Sequence, residues 1–273
     1  MTPRRILGRW LRRAAECGIV DACAPWRAEF NRQTRRTGVF TAALLAATAW
    51  CVAASPVSAQ APQGKSEAEA PGGASKPVTI VAFGDSLTQG YGLPAAQGFA
   101  PQLEAWLQEQ GAAPVTVVNA GVSGETTSGG LARLDWAVGR DADAVILELG
   151  ANDALRGLPA ETAKANLDAM LSILTEKKKV PVLLAGMRAP GNWGKEYKAA
   201  FDGMYAELAK KHGVALYPYF MAGLADDING RKIDLSLFLP NDFHPSAKGV
   251  RKIVEGIGPQ ALEMVRQARA VEN

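Results

Sequence analysis

Cysteine and histidine are scarce in this sequence, and their placement narrows the chemistry. The three cysteines, Cys17, Cys23 and Cys51, all lie in the first 59 residues. From residue 60 onward there are none, which excludes a disulfide framework, a thiolate nucleophile and a cysteine metal site from the body of the chain. A cysteine-free body suits either redox compartment. Only two histidines occur, His212 and His244, too few for a histidine-rich metal centre. An excess of one charge is also missing from the body. The formal charge of +3 comes from the first 59 residues, where nine arginines face only Glu16, Asp21 and Glu29, leaving 21 basic and 24 acidic residues beyond them. That balance argues against a nucleic-acid-binding body.

The basic leader reads as a targeting signal. RQTRRTG at residues 32–38 is positive, the apolar run VFTAALLAATAWCVAA covers residues 39–54, and SPVSA ends at Ala59. Charged region, apolar region and small-residue site, in that order, make a secretory signal, with cleavage expected after Ala59. The bland alternative is an uncleaved anchor, but 16 residues rich in Ala and Thr fall short of the roughly 20 a span requires. Residues 1–31 precede this pattern as an N-terminal extension. Residues 60–77, QAPQGKSEAEAPGGASKP, have the Pro, Gly and Ala content of a flexible linker. The expected product is periplasmic or secreted, with no membrane span left after cleavage.

Hydrophobic residues make up 48% of the chain, enough to fill a core. From Val78 onward short apolar runs alternate with longer amphipathic ones. Strands are expected at residues 78–84, 115–120, 144–150, 180–187 and 214–218, and helices at 98–110, 127–138, 159–178, 195–212 and 246–271. Pro159 opens the third helix, and Gly111 and Gly213 follow the first and fourth, where a chain often takes positive φ. Runs this apolar and unalternating read as strands buried on both faces, hence a parallel sheet covered by helices. The strand–helix order predicts a three-layer α/β/α domain over residues 78–273 with about five parallel strands.

Polar clusters sit where that scheme ends its strands. Gly84-Asp85-Ser86-Leu87-Thr88 leaves the first, Gly121-Val122-Ser123-Gly124-Glu125-Thr126 the second and Gly150-Ala151-Asn152-Asp153 the third. Asn241-Asp242-Phe243-His244-Pro245 precedes the last helix. The carboxyl edge of a parallel sheet is where open α/β folds bind ligands. A serine hydroxyl needs a neighbouring imidazole to become a nucleophile, and backbone N–H groups with an Asn amide can hold the oxyanion of an acyl-transfer intermediate. Each signal has a plain alternative: a common turn for Gly-Asp-Ser, a loop glycine for Gly124, a helix cap for Asn152-Asp153. Asp85 is expected to brace the serine turn. His212, behind Lys210-Lys211 at a helix end, suits the helix dipole and reads as structural. Trp193, Tyr197, Phe201 and Met204, spaced 4, 4 and 3 apart, read as one buried helical face.

The blocks GDSLTQGYG, VVNAGVSGETT, LGAND and HPSAKG resemble the four blocks of the SGNH, or GDSL, hydrolase family. Within it the chain is most similar to the thioesterase I, lysophospholipase L1 and arylesterase group. The resemblance implies a flavodoxin-like SGNH hydrolase fold and a serine esterase with Ser86 as nucleophile and His244 as base. It implies an oxyanion hole of the Ser86 and Gly124 N–H groups and the Asn152 amide. It implies a small ester or lysolipid as substrate, and neither metal nor organic cofactor. A carbohydrate or peptidoglycan O-acetylesterase shares the same blocks. One position departs from the pattern. The family places its acid three residues before the histidine, which here is Asn241, whereas Asp242 lies two before. A carboxylate compensates an imidazolium and an amide does not, so Asp242 is preferred as the acid. An amide at Asn241 in the acid's place would leave a weakened, ligand-binding domain.

Overall fold

The computed structural model describes residues 77–224, 234–240 and 242–270. The expected signal, its cleavage site at Ala59, the linker up to residue 76 and Asn241 lie outside the described residues. The described parts fall in a compact unit, Ala68–Asn273.

Five strands, β1 (Val78–Gly84), β2 (Val115–Gly121), β3 (Ala144–Glu148), β4 (Val182–Ala185) and β5 (Ala215–Tyr217), form one sheet in the order β2-β1-β3-β4-β5. Every pairing is parallel. The interior strands β1, β3 and β4 are apolar and almost wholly buried, as a sheet covered on both faces requires. β2 differs from the expected unalternating pattern. Its burial alternates, and Val118 is exposed, because β2 forms an edge of the sheet.

The helices are α1 (Ser86–Gln89), α2 (Phe99–Glu109), α3 (Thr127–Val138), α4 (Ala151–Arg156), α5 (Ala160–Ser172), α6 (Lys195–His212) and α7 (Ala247–Ala270). α7 packs on α2, while α5 packs on α3 and α6, giving the outer layers of the three-layer domain. Several helices end one or two residues from their expected positions. Pro159 is the residue before α5 rather than its first residue, and α5 runs into a π turn at Ile173–Lys178. Burial lets α7 tolerate poor helix formers: Pro259 lies inside it, and a side chain at Gly258 would come within 2.7 Å of the Trp106 ring. Trp193 is not part of the α6 face. It ends a 3-10 turn ahead of α6, separated from it by Gly194 at φ 95°. Only Phe201 and Met204 of that expected stripe are fully buried.

The strand order fixes where a site can form. From β1 the chain goes first to β2, then crosses back to β3 on the other side. With right-handed crossovers, that reversal leaves a crevice at the carboxyl ends of β1 and β3. Ser86 follows β1 and Asn152 follows β3.

Candidate active site

The turn that carries Ser86 is made by its neighbours. Asp85 caps α1, its Oδ1 accepting from the Leu87 N–H at 3.0 Å. Four residues are too few for a helix to persist alone; α1 is held from outside. The end of β2 presses on it so closely that a side chain at Gly121 would come within 2.3 Å of the Gln89 nitrogen. Gly84, just ahead of Asp85, has the same role on the other side, since a Cβ there would stand 2.1 Å from Thr88 Oγ1 and 2.6 Å from the Glu148 carbonyl oxygen.

Beneath this turn lies a carboxyl that the sequence reading did not single out. Glu148, at the end of β3, is wholly buried. Its Oε2 accepts from Thr88 Oγ1 at 2.8 Å and from the Asp85 N–H at 3.3 Å. Burial first, and the adjacent Asp85 charge second, push its pKa well above the carboxylate range. Burial likewise raises Asp85 to about 6, against the hydrogen bonds from Leu87 and Asn152. A lone acid at the end of AVILE, a strand buried throughout, was a readable signal: such a group needs partners or stays neutral.

Ser86 Oγ stands 2.8 Å from His244 Nε2, and His244 Nδ1 stands 2.7 Å from Asp242 Oδ1. An ionised carboxylate only accepts hydrogen bonds, so Nδ1 carries the proton and Nε2 is free to accept from the serine hydroxyl. Asp242 reaches the ring from two residues away by an Asx turn: the same Oδ1 also accepts the His244 backbone N–H at 3.1 Å. The enclosing loop is closed like a small hairpin. Leu239 N–H donates to the His244 carbonyl at 2.8 Å, Asp242 N–H to the Leu239 carbonyl at 3.1 Å, and Ser246 N–H to the Leu237 carbonyl at 2.8 Å. A turn thus lets Asp242 reach the ring from two residues away. Burial works to raise the Asp242 pKa, but the His244 hydrogen bonds outweigh it and hold the carboxyl below its usual value. The Tyr91 ring lies against the imidazole, centroids 4.6 Å apart.

Gly124 and Asn152 flank the same turn. The β2 strand that leads to Gly124 is in register with β1, Gly121 beside Gly84, and the Val122 N–H donates to the Gly84 carbonyl at 3.0 Å. Ser123 Oγ donates to Gln89 Oε1 of α1. Gly124 itself has φ 77°, a conformation other residues adopt only with strain. Asn152 is the second residue of α4, and Gly150 rather than Asn152 occupies the cap position. Asn152 Nδ2 donates to Asp85 Oδ2 at 3.1 Å. Asp153 turns the other way and accepts from the Thr127 N–H and hydroxyl at 2.8 and 2.7 Å.

Arg133 of α3 was also missed. Its side chain is nearly buried, paired with Glu125, and its Nη2 donates to the carbonyls of Gly84 at 3.2 Å and Ala120 at 2.9 Å. One guanidinium therefore ties the ends of β1 and β2 to the residue after Gly124. Its spacing from Glu125 gave no warning, because Glu125 lies ahead of the helix cap and outside the helical period. His212 stands apart from the site and contacts Asp168 at 2.6 Å through Nε2. Trp193, partly exposed, donates from Nε1 to the Ala154 carbonyl at 2.8 Å and lies over Gly157. Among the described residues no group of three or more His, Cys, Asp or Glu could hold a metal ion.

Residues 82–252 match the model of the GDSL-like lipase/acylhydrolase family. The chain is 33% identical over 185 residues to the esterase TesA of Pseudomonas aeruginosa, spanning 66% of this chain and 86% of that one. It is 38% identical over 143 residues to an arylesterase of Vibrio mimicus, covering 52% of this chain and 70% of the relative. Among solved structures, AlinE4, an SGNH-hydrolase family esterase, is 37% identical with a TM-score of 0.57, over 70% of this chain and 98% of that one. The crystal structure of TesA is 31% identical with a TM-score of 0.60, over 68% and 99%.

Proposed function

The chain belongs to the GDSL-like lipase/acylhydrolase family, and from that footing we propose that it is an exported serine esterase acting through an acyl-enzyme on Ser86. That it is a serine carboxylic ester hydrolase follows from the family and from relatives named arylesterase and esterase; the roles of its residues are our reading. His244 Nε2 takes the Ser86 proton as Oγ attacks the ester carbonyl. The oxyanion is held by the N–H groups of Ser86 and Gly124 and by the Asn152 amide. His244 then gives its proton to the leaving alcohol or thiol, and the acyl group stays on Oγ. A water, deprotonated by the same nitrogen, attacks the acyl carbon and releases the acid. Asp242 keeps the proton on Nδ1 and balances the imidazolium charge.

The observation that carries this reading is the unbroken line Ser86 Oγ, His244 Nε2, His244 Nδ1, Asp242 Oδ1, with contacts of 2.8 and 2.7 Å. Ser86→Ala is expected to abolish turnover of p-nitrophenyl esters and labelling by a fluorophosphonate. Wild-type turnover in that variant refutes the mechanism. A series from acetyl to palmitoyl esters separates the arylesterase and lysophospholipase reading from an O-acetylesterase, which would act on the acetyl ester alone.

Export rests on the leader at residues 32–59 followed by the linker at residues 60–77, with the hydrolase domain from Val78 to Asn273. Among the described residues no helix is long and apolar enough to cross a membrane. The mature protein is expected in the periplasm or medium with Gln60 at its N-terminus. Recovery of the uncut chain in the membrane fraction overturns this part.

A further inference from the structure

We propose that Arg156 is a positioning residue for acyl transfer, coupling the Gly124 turn to the helix that bears Asn152; the inference rests on the reading of the site given above. Asn152 and Arg156 lie four apart on α4, so they share one face of that helix. Asn152 reaches from it to Asp85 beside the nucleophile, and Arg156 Nη2 reaches from it to the Gly124 carbonyl at 2.8 Å. Two of the three oxyanion donors are thereby joined through one turn of helix.

The contact matters because of what it restrains. Glycine has more freedom in φ and ψ than any other residue, and Gly124 sits at φ 77° on an exposed loop. Its N–H must nevertheless point to one place. The carbonyl that Arg156 holds belongs to the next peptide unit, so the bond restricts ψ of Gly124 and with it the orientation of the flanking peptide planes. From the other side Glu125, the adjoining residue, is gripped by the nearly buried Arg133. The glycine is thus pinned by two arginines, and only one of them is exposed. A bond to a carbonyl from a charged group is among the stronger ones, and in holding it the long arginine side chain gives up rotamer freedom.

Removing Arg156 leaves the Arg133 anchor in place, so the donor is loosened and not lost. Loss of one donor costs about 10²–10³ in kcat, and loosening is expected to cost about tenfold. The variants are Arg156→Ala and Arg156→Lys, measured with p-nitrophenyl butyrate, with trifluoroacetophenone as a probe whose adduct with Ser86 places an oxyanion in the hole. For the alanine variant, kcat is expected to fall about tenfold, KM to stay within about twofold, and affinity for the ketone to fall by the same factor as kcat. Lysine, which can donate but not span the gap as a rigid fork, is expected to recover part of the loss. Melting temperatures unchanged in both variants would separate positioning from folding. Unchanged kcat and ketone affinity would overturn the proposal, as would a rise in KM alone, which would make Arg156 a substrate contact. Ser86→Ala, assayed in parallel, distinguishes the two levels: full turnover there sinks the site itself, whereas a dead Ser86→Ala beside an unaffected Arg156→Ala sinks only the role of Arg156.

Discussion

Asp85→Asn is expected to make the protein more stable and far less active, and both effects follow from one carboxylate. Asp85 is fully buried and accepts from Leu87 N–H and Asn152 Nδ2. Burial lifts its pKa from 3.8 to about 6. The folded state therefore binds its proton more tightly than the unfolded state does. Stability contributed by the protonated form is present below about pH 4 and falls as pH rises through about 6. At roughly 1.4 kcal/mol per pH unit, ionised Asp85 costs the fold on the order of 3 kcal/mol at neutral pH. Asparagine carries no such cost. Its carbonyl can still accept from Leu87 N–H, but its amide now faces the Asn152 amide, which must turn over to offer its own oxygen. That rotation would aim the Asn152 carbonyl at the forming oxyanion, with an expected fall of about 10²–10³ in kcat at nearly constant KM. Urea unfolding at pH 4.5 and pH 8, beside steady-state kinetics on p-nitrophenyl butyrate, measures both. The variant should gain clearly more on wild type at pH 8 than at pH 4.5. A variant that keeps wild-type kcat, or that loses the same stability at both pH values, refutes the reasoning.

Three further variants probe the frame around the serine. Asp242→Asn should lower kcat by about 10⁴, as removal of the acid does in the serine-protease triad, while Asn241→Asp should leave kcat within about twofold; the reverse outcome would move the acid to position 241. Gly84→Ala forces a methyl to 2.1 Å from Thr88 Oγ1 and 2.6 Å from the Glu148 carbonyl oxygen, so thermal unfolding should show a loss of at least about 1–3 kcal/mol. Glu125→Ala strips a nearly buried arginine of its carboxylate and should cost about 3 kcal/mol by chemical denaturation, with a change below about 0.5 kcal/mol showing that the Gly84 and Ala120 carbonyls suffice for Arg133.

What the sequence made legible was whatever depends on a pattern of apolar residues. VTIVAFG and AVILELG read as buried strands because they are apolar apart from Thr79 and Glu148 and show no alternation, and the long helices read from their spacing and their flanking glycines. The loops at the strand ends were legible too, since a parallel sheet sends every carboxyl end to one edge. The failures have a common cause. α1 and α4, four and six residues long, show no period; tertiary contacts hold them, with Asp85 capping one and Asp153 tying the other to Thr127. Trp193 fits a helical spacing with Tyr197 and Phe201, yet Gly194 at φ 95° breaks the run before it. Glu148 was visible as an acid in an apolar strand, but its partners Thr88 and Asp85 lie about 60 positions away. Asp242 was chosen on charge, and the turn that lets it reach His244 depends on hairpin bonds from Leu237 to Ser246 that no local motif announces.

The site then distributes three carboxyl groups by environment rather than by residue type. Asp242 is partly exposed and lies against the imidazole, and its hydrogen bonds with His244 hold its carboxyl below its usual pKa. That carboxyl sits where the proposed mechanism forms an imidazolium. Asp85 and Glu148 are buried together under the Ser86 turn, where two full charges side by side would be costly. Both are fully buried, and Glu148 has the stronger upward push on its pKa, so of the two it is the one that more readily keeps a proton. With the proton on Glu148, Asp85 can ionise and act as a pure acceptor for Asn152. The amide is then held one way round, with its second N–H left for the oxyanion of the proposed mechanism. On the proposed mechanism the stability lost by burying Asp85 is the counterpart of an oxyanion hole whose orientation is set before substrate arrives.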